Sequence, residues 1–236
     1  STQLSPVEWR SLSDFTIVSS IPDSGVYRYE FEDGSDTTTA VDSWNDNDGI
    51  INGAEYTTDS QIGSLALEFV SSDGDYVSTE LNVGTSGESA TGAGWLKASS
   101  QSVGRNYFVF SNYVDRSHDG FFAIGTDDGD GMFFWTRDPT TTESVRTAAY
   151  EPAFDGNWHH YAGVRDADAE EMRFYIDGEL KETAAFPGDV AIRDGDSFFG
   201  LMQHYGDRNL TGTVDDVRVY SRALSASEIQ SLYDSA

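Results

Sequence analysis

Several side-chain clusters in this sequence carry enough oxygen, nitrogen or aromatic surface to do chemistry. Asp166-Ala-Asp-Ala-Glu170 sets carboxylates at alternate positions. Two carboxylates flanking a sugar linkage are the apparatus of glycoside hydrolysis, one acting as acid and one as base or nucleophile. Trp44-Asn-Asp-Asn-Asp-Gly49 and Asp127-Asp-Gly-Asp-Gly131 offer the oxygen atoms that Ca²⁺ prefers. His159-His160 has the look of a metal pair. Gln203-His-Tyr-Gly-Asp-Arg208 joins rings to a carboxylate and a guanidinium, and Tyr113, Arg116 and His118 form a second stretch of that kind. Trp135 and Arg137 add a stacking face. Aromatic surface with a few convergent polar groups on loops is binding chemistry rather than bond-breaking chemistry.

Position decides among these readings. The Asp166–Glu170 run falls between two β-type runs, Tyr161–Arg165 and Met172–Ile176. Carboxylates in such a turn are solvated, so the run reads as a polar turn. The Trp44 loop has Trp where a calcium loop needs its first ligand and lacks Glu at the twelfth position, so both acidic loops read as turns. Strand neighbours point to opposite faces, so His159 and His160 cannot chelate one ion. One of them is expected to pack inward beside Trp158 and Tyr161. No Ser/His/Asp order, Walker loop or His-Glu-x-x-His motif is present. Asn209-Leu-Thr211 matches a glycosylation sequon. The candidate ligand-binding residues are therefore His204, Tyr205, Arg208, Tyr113, Arg116 and His118.

The elements that must position them are short strands. Val26–Glu32, Leu65–Val70, Tyr76–Thr79, Gly94–Ala98, Tyr107–Ser111, Gly120–Gly125 and Met132–Thr136 are β-type runs separated by Gly, Asp, Asn and Ser. Trp158–Arg165, Met172–Ile176, Leu180–Ala185, Ser197–Met202 and Thr213–Tyr220 continue the series. Ser-Ser-Asp-Gly-Asp between Val70 and Tyr76 reads as a hairpin-like turn, and Ile-Asp-Gly-Glu after Tyr175 as another. No helical stretch separates the strands, which indicates antiparallel all-β architecture. One short helix is expected near the C-terminus, where Ser225-Ala-Ser-Glu228 is a capping box before Ile229 and Leu232. Residues 1–24 are polar and aperiodic and read as a leading segment or linker, with one domain over 25–236.

Charge narrows the partners. The 236 residues hold 41 Asp+Glu against 14 Lys+Arg, a formal net charge of −27. The acidity is spread along the chain, with Asp in about twofold excess over Glu and only two lysines, Lys97 and Lys181. Such a surface repels nucleic acid and anionic membranes. Its self-repulsion becomes tolerable at molar salt, where the screening length falls to roughly 3 Å, so a halophilic source is expected. There is no cysteine, hence no disulfide framework. No apolar run approaches the length of a membrane span.

The ordered set Gly156-Asn-Trp-His-His-Tyr161, Met172-Arg-Phe-Tyr-Ile-Asp-Gly178 and Gly212-Thr-Val-Asp-Asp-Val-Arg-Val-Tyr220 resembles the laminin G-like branch of the concanavalin A-like lectin/glucanase superfamily. Tyr29-Glu-Phe-Glu-Asp-Gly34 and Gly63-Ser-Leu-Ala-Leu-Glu-Phe69 are similar to its opening. The resemblance implies an all-β, two-sheet antiparallel jelly-roll sandwich. It also implies a structural calcium tying the first strand to the last, with Asp215 as the first candidate for its carboxylate ligand and Asp216 as the alternative, and with Glu32 and the Gly63 carbonyl contributed by the opening strands. Laminarinase-type hydrolases of the superfamily carry a Glu-x-Asp-x-Glu strand that Asp166–Glu170 does not reproduce. A non-catalytic module is therefore expected, extracellular, on a cell surface or on a virion, whose partners are glycans or glycosylated surface proteins. A structural or assembly domain is the alternative, and a larger parent assembly could make it a homo-oligomer.

Overall fold

A period of two in the side chains decides which way each strand faces. Met172, Phe174 and Ile176 are buried in the main core, while Arg173 between them is half-buried. The same alternation runs through the computed structural model, which describes residues 22, 25–34, 38–80, 89–99, 108–111, 122–127, 131–137, 144–147, 154–186, 198–201 and 210–236. The strands are β1 Tyr27–Tyr29, β2 Thr39–Ala40, β3 Gly49–Asn52, β4 Glu55–Thr57, β5 Ala66–Phe69, β6 Tyr76–Glu80, β7 Ala90–Ser99 and β8 Phe108–Ser111. They continue as β9 Phe122–Asp127, β10 Gly131–Arg137, β11 Ser144–Arg146, β12 Asp155–Asp166, β13 Glu171–Ile176, β14 Glu179–Ala185, β15 Phe198–Leu201 and β16 Gly212–Tyr220, before helix α1 Ala226–Tyr233.

Two antiparallel sheets result. The first has the order β14-β13-β12-β7-β16-β5-β4, with β1 also paired to β16. The second has the order β11-β10-β9-β8-β15-β6-β3-β2. Between them lies a core to which the first sheet contributes Tyr27, Leu96, Tyr161 and Phe174, and the second Val77, Val109, Ile124 and Phe134. This is the expected two-sheet sandwich, all-β apart from the short C-terminal helix.

The helix covers the outer face of the first sheet. Ile229 and Leu232 pack with Ala93, Ala162, Val164, Tyr175 and Tyr220 in a second buried cluster. Its N-terminus is the anticipated capping box, with Ser225 Oγ accepting from Glu228 N and the Glu228 side chain accepting from Ser225 N. The Ile176–Glu179 hairpin also forms as read, and both turn residues, Asp177 at φ 53° and Gly178 at φ 75°, are left-handed. That pair of positive φ values is what a two-residue turn of matching twist requires.

Two local readings change. Residues 65–79 do not form a hairpin, because β5 lies in the first sheet and β6 in the second. A 3₁₀ turn at Ser71–Asp73 and left-handed Gly74 redirect the chain, and buried Asp75 accepts from Val70 N at 2.8 Å. The first strand is shorter than its alternation suggested, since β1 ends at Tyr29 and Phe31 takes φ 55°. Strands β2, β3, β4 and β11 carry no strong local pattern and are set by pairing alone.

Candidate functional site

The last strand changes partners along its length. Gly212, Thr213 and Val214 pair with β5, whereas Val217, Arg218 and Val219 pair with β1. At the changeover, register shifts between Asp215 and Arg218 against β7, a β-bulge. Asp216 takes φ 45° there, a conformation that Asp tolerates better than most residues. The bulge delivers two adjacent carboxylates to the seam between the first and last strands.

Asp216 is held by two cations. Its Oδ1 accepts from Arg28 Nε at 2.7 Å and its Oδ2 lies 2.6 Å from Arg218 Nη2. Asp216 and Arg218 are both buried. Asp215 Oδ2 accepts from the amides of Gln61 and Ile62, each at 2.8 Å. Asp215 Oδ1 is buried with no hydrogen-bond partner. Burial pushes the Asp215 carboxyl up to about 6 against the opposing pull of those two amides.

Glu32 grips the same loop. Its Oε1 accepts from the amides of Ser64 (2.9 Å) and Leu65 (3.1 Å), and its Oε2 from Ser64 Oγ (2.7 Å). Partial burial works to raise its pKa, but these hydrogen bonds outweigh it and lower the value. Gly63, at φ 68°, lies against the Glu32 carboxylate, which a Cβ at that position would strike. The structure thus gathers Glu32, Gly63 and Asp215 on the 61–65 loop and turns Asp216 to the arginines. A cation fits the unsatisfied Asp215 Oδ1. Among the described residues no three His, Cys, Asp or Glu side chains converge, so such an ion would complete its shell from backbone oxygens and water.

The histidine pair divides as strand geometry requires. His160 is buried under α1 against Trp95 (5.3 Å) and Tyr233 (6.3 Å), rather than beside Trp158 and Tyr161. Burial lowers its pKa to about 4. His159 sits at the sheet end between Asp177 Oδ2 (2.7 Å) and Asp155 Oδ1 (3.1 Å). Burial alone would lower its pKa, but the hydrogen bonds to Asp177 and Asp155 raise it. Trp158, which sequence reading had left to packing, is half-buried on the outer face and donates from Nε1 to Asp59, which also pairs with Lys97 at 2.6 Å.

The Asp166–Glu170 run is the turn between β12 and β13. Asp166 accepts from Arg173 at 2.7 Å and from the Ala169 amide at 3.1 Å, so its oxygens are engaged in shaping the turn. It borders an open cleft of about 790 Å³ lined also by Ser89, Ser221 and Arg222. Arg222 is itself paired to Glu228 through two contacts of 3.1 and 2.7 Å. The Trp44 loop is likewise a turn, in which Asp42 Oδ1 accepts from Trp44 N and Asp48 Oδ1 from Asp42 N.

His204, Tyr205, Arg208, Tyr113, Arg116 and His118 lie outside the described residues, as does Asn209. Their stretches follow β15 and β8 directly in the chain, and these two strands are paired antiparallel at the middle of the second sheet. The outer face of that sheet is opposite the helix-covered one. Trp135 lies on it, half-buried and edge-on to Phe133 with ring centroids 6.2 Å apart. Register carries a line of residues across this face, from Trp135 to Ala123, Ser111, Gly200, Ser78 and Ile50. Ala123 and Ser111 are buried and Ile50 is 61% exposed. In β10, β9, β6 and β3 the residues beside them, Phe134, Ile124, Val77 and Ile51, face the core, so Trp135, Ala123, Ser78 and Ile50 face outward. No local pattern announces it, because its members come from six different strands.

A family model described as the concanavalin A-like lectin/glucanases superfamily matches residues 71–230. No curated protein sequence matches the chain. Among solved structures, domain 4 of AbnA, a GH43 extracellular arabinanase from Geobacillus stearothermophilus in complex with arabinotriose, is similar with a TM-score of 0.68 at 20% identity. That similarity covers 88% of this chain and 97% of that one. The botulinum neurotoxin serotype G binding domain has a TM-score of 0.70 at 14% identity, over 89% of this chain and 50% of its own. The serotype D ligand binding domain in complex with N-acetylneuraminic acid has a TM-score of 0.69 at 16% identity, over 90% and 51%. The chain therefore spans about half the length of those toxin domains and nearly all of the arabinanase domain.

Proposed function

The chain belongs to the concanavalin A-like lectin/glucanase superfamily, and we propose that it is a non-catalytic carbohydrate-binding module of an extracellular, cell-surface or virion-surface protein. One observation carries the reading. Among the described residues the helix packs on the first sheet, and Trp135 lies half-buried on the outer face of the second. An indole face beside small Ala123, with Phe133 next to it, is suited to stacking on a sugar ring. The stretches holding Tyr113, Arg116 and His118 and holding His204, Tyr205 and Arg208 leave the central strands of that sheet, which supports their use as flanking contacts. The sugars named for the arabinanase domain and the serotype D toxin domain favour the same class of partner.

The carboxylates lend no support to catalysis. Asp166 is engaged by Arg173, Asp216 by two arginines, and Glu32 by the 64–65 amides. A calcium ion at Asp215 Oδ1, beside the loop held by Glu32, is proposed as a structural cofactor. Its role would be to tie the 61–65 loop to the last strand.

The reading is tested by calorimetry against a glycan panel, with W135A beside the parent and a reducing-sugar assay on every ligand that binds. Binding without sugar release, weakened at least tenfold in W135A, is expected. Sugar release would make the chain an enzyme. A folded protein that binds nothing would leave it an assembly domain.

A further inference from the structure

Three polar side chains are trapped on the outer face of the first sheet. His160, Trp95 and Arg218 all point to that face, because their strand neighbours Tyr161, Leu96 and Val217 lie in the core. Each is more than nine-tenths buried. Each also holds a buried nitrogen with no hydrogen-bond partner: His160 Nδ1, Trp95 Nε1 and Arg218 Nε. Polar atoms left unpaired out of reach of water destabilise the arrangement that buries them.

Helix α1 is part of that arrangement. Its Tyr233 stacks on Trp95 with ring centroids 5.6 Å apart and lies 6.3 Å from the His160 ring. Its Gln230 rests against Gly178 in the β13–β14 turn. Ile229 and Leu232 hold it to Ala93, Ala162, Val164, Tyr175 and Tyr220. With eight residues, α1 is too short to be stable in water by itself, so its docking maintains it.

Acid acts on this interface through His160. A protonated imidazole donates from both ring nitrogens, and Nδ1 has no acceptor here. Burial and the Arg218 guanidinium oppose the proton, while Asp216 and Asp177 favour it. Both carboxylates are already engaged, Asp216 by Arg28 and Arg218, and Asp177 by His159 and the His160 amide. From β7 the ring meets uncharged Trp95, and from α1 it meets Tyr233. The acids of α1, Glu228 and Asp234, are held by Arg222 and Gln230. Burial prevails and lowers the His160 pKa to about 4.

We propose that α1 is an acid-released cover: protonation of His160 lifts the helix from the first sheet and uncovers the apolar face of Ala93, Ala162, Val164, Tyr175 and Tyr220, while the sandwich stays folded. The sign follows from linkage. A ring whose proton affinity is lower when covered docks the helix fully above pH of about 6.5, and docking weakens as pH falls from there towards 4.

The test is hydrogen exchange of the full chain followed by mass spectrometry at pH 7 and pH 5, with rates corrected for intrinsic chemistry. Protection of the α1 amides is expected to fall about twentyfold, the ratio for a ring that titrates at about 6.5 in water and about 4 under the helix. Strands β7 and β12 should keep their protection. H160F and H160Q have no proton to gain at this position, and whichever keeps the parent's near-UV circular dichroism should show no such fall. Protection of α1 that is independent of pH, an equal loss in β7 and β12, or the same fall in a folded His160 variant would overturn the proposal. So would an NMR titration of the parent that places the His160 midpoint near 6.5 with α1 still protected, a result that needs no variant.

Discussion

Replacing Asp216 probes the seam between the first and last strands more directly than any other change. Its carboxylate contacts Arg28 Nε at 2.7 Å and Arg218 Nη2 at 2.6 Å. Asp216 and Arg218 are each only 4% exposed. Removing the anion leaves a buried guanidinium without its counter-charge, which costs about 3–5 kcal/mol. D216A adds the strain of alanine at φ 45°, about 1 kcal/mol more. D216N avoids that strain and keeps one acceptor oxygen, so it should fall at the lower end. Domains of this kind have total stabilities of about 5–15 kcal/mol, so either variant should move the urea midpoint far outside experimental error. The measurement is equilibrium urea unfolding followed by tryptophan fluorescence, with unchanged m-values as evidence that the unfolded state is the same. A loss below about 1 kcal/mol in D216A would refute the view that this ion triad staples the strands.

Asp215 predicts a pH dependence of its own. Its folded pKa of about 6 lies above the ordinary Asp value, so the native state binds the extra proton between the two. Stability contributed by this site therefore falls as pH rises from about 4 to 6, by roughly 3 kcal/mol. With chelator present, the difference in unfolding free energy between parent and D215N should carry that slope, and a flat difference would sink the assignment. Millimolar calcium should raise the melting temperature of the parent at pH 7 and leave D215N unmoved; equal responses would remove Asp215 from the ion's shell. His159 runs by the opposite rule for a base. Its raised folded pKa means that its pairs with Asp155 and Asp177 contribute fully below pH 6.5 and are lost as pH rises through the folded value. H159Q should abolish that loss in a melting series from pH 5.5 to 8.5, and an unchanged profile would contradict it. The net charge of −27 predicts a melting temperature that climbs between 0.1 and 2 M NaCl as repulsion is screened. Equal stability in dilute buffer would rule out a halophilic design.

What the residues determined by themselves was local. Alternation in Met172–Ile176, the turn chemistry of Asp177-Gly178 and the Ser225–Glu228 capping box each formed as read, because each depends on contacts within a few residues. The separation of His159 from His160 followed from strand geometry alone. The identity of neighbours was decided by the tertiary structure. Val70 and Tyr76 look like the two sides of a hairpin, yet Asp75 and a 3₁₀ turn send them to different sheets. Asp216 resembles a metal ligand in its motif, and its partner Arg28 lies 188 residues away. The line from Trp135 to Ile50 is assembled from six strands and has no signature in any one of them. A period of two tells each residue which face it occupies, but it holds no information about which strand lies alongside, and that is settled only when distant segments bury their surfaces together.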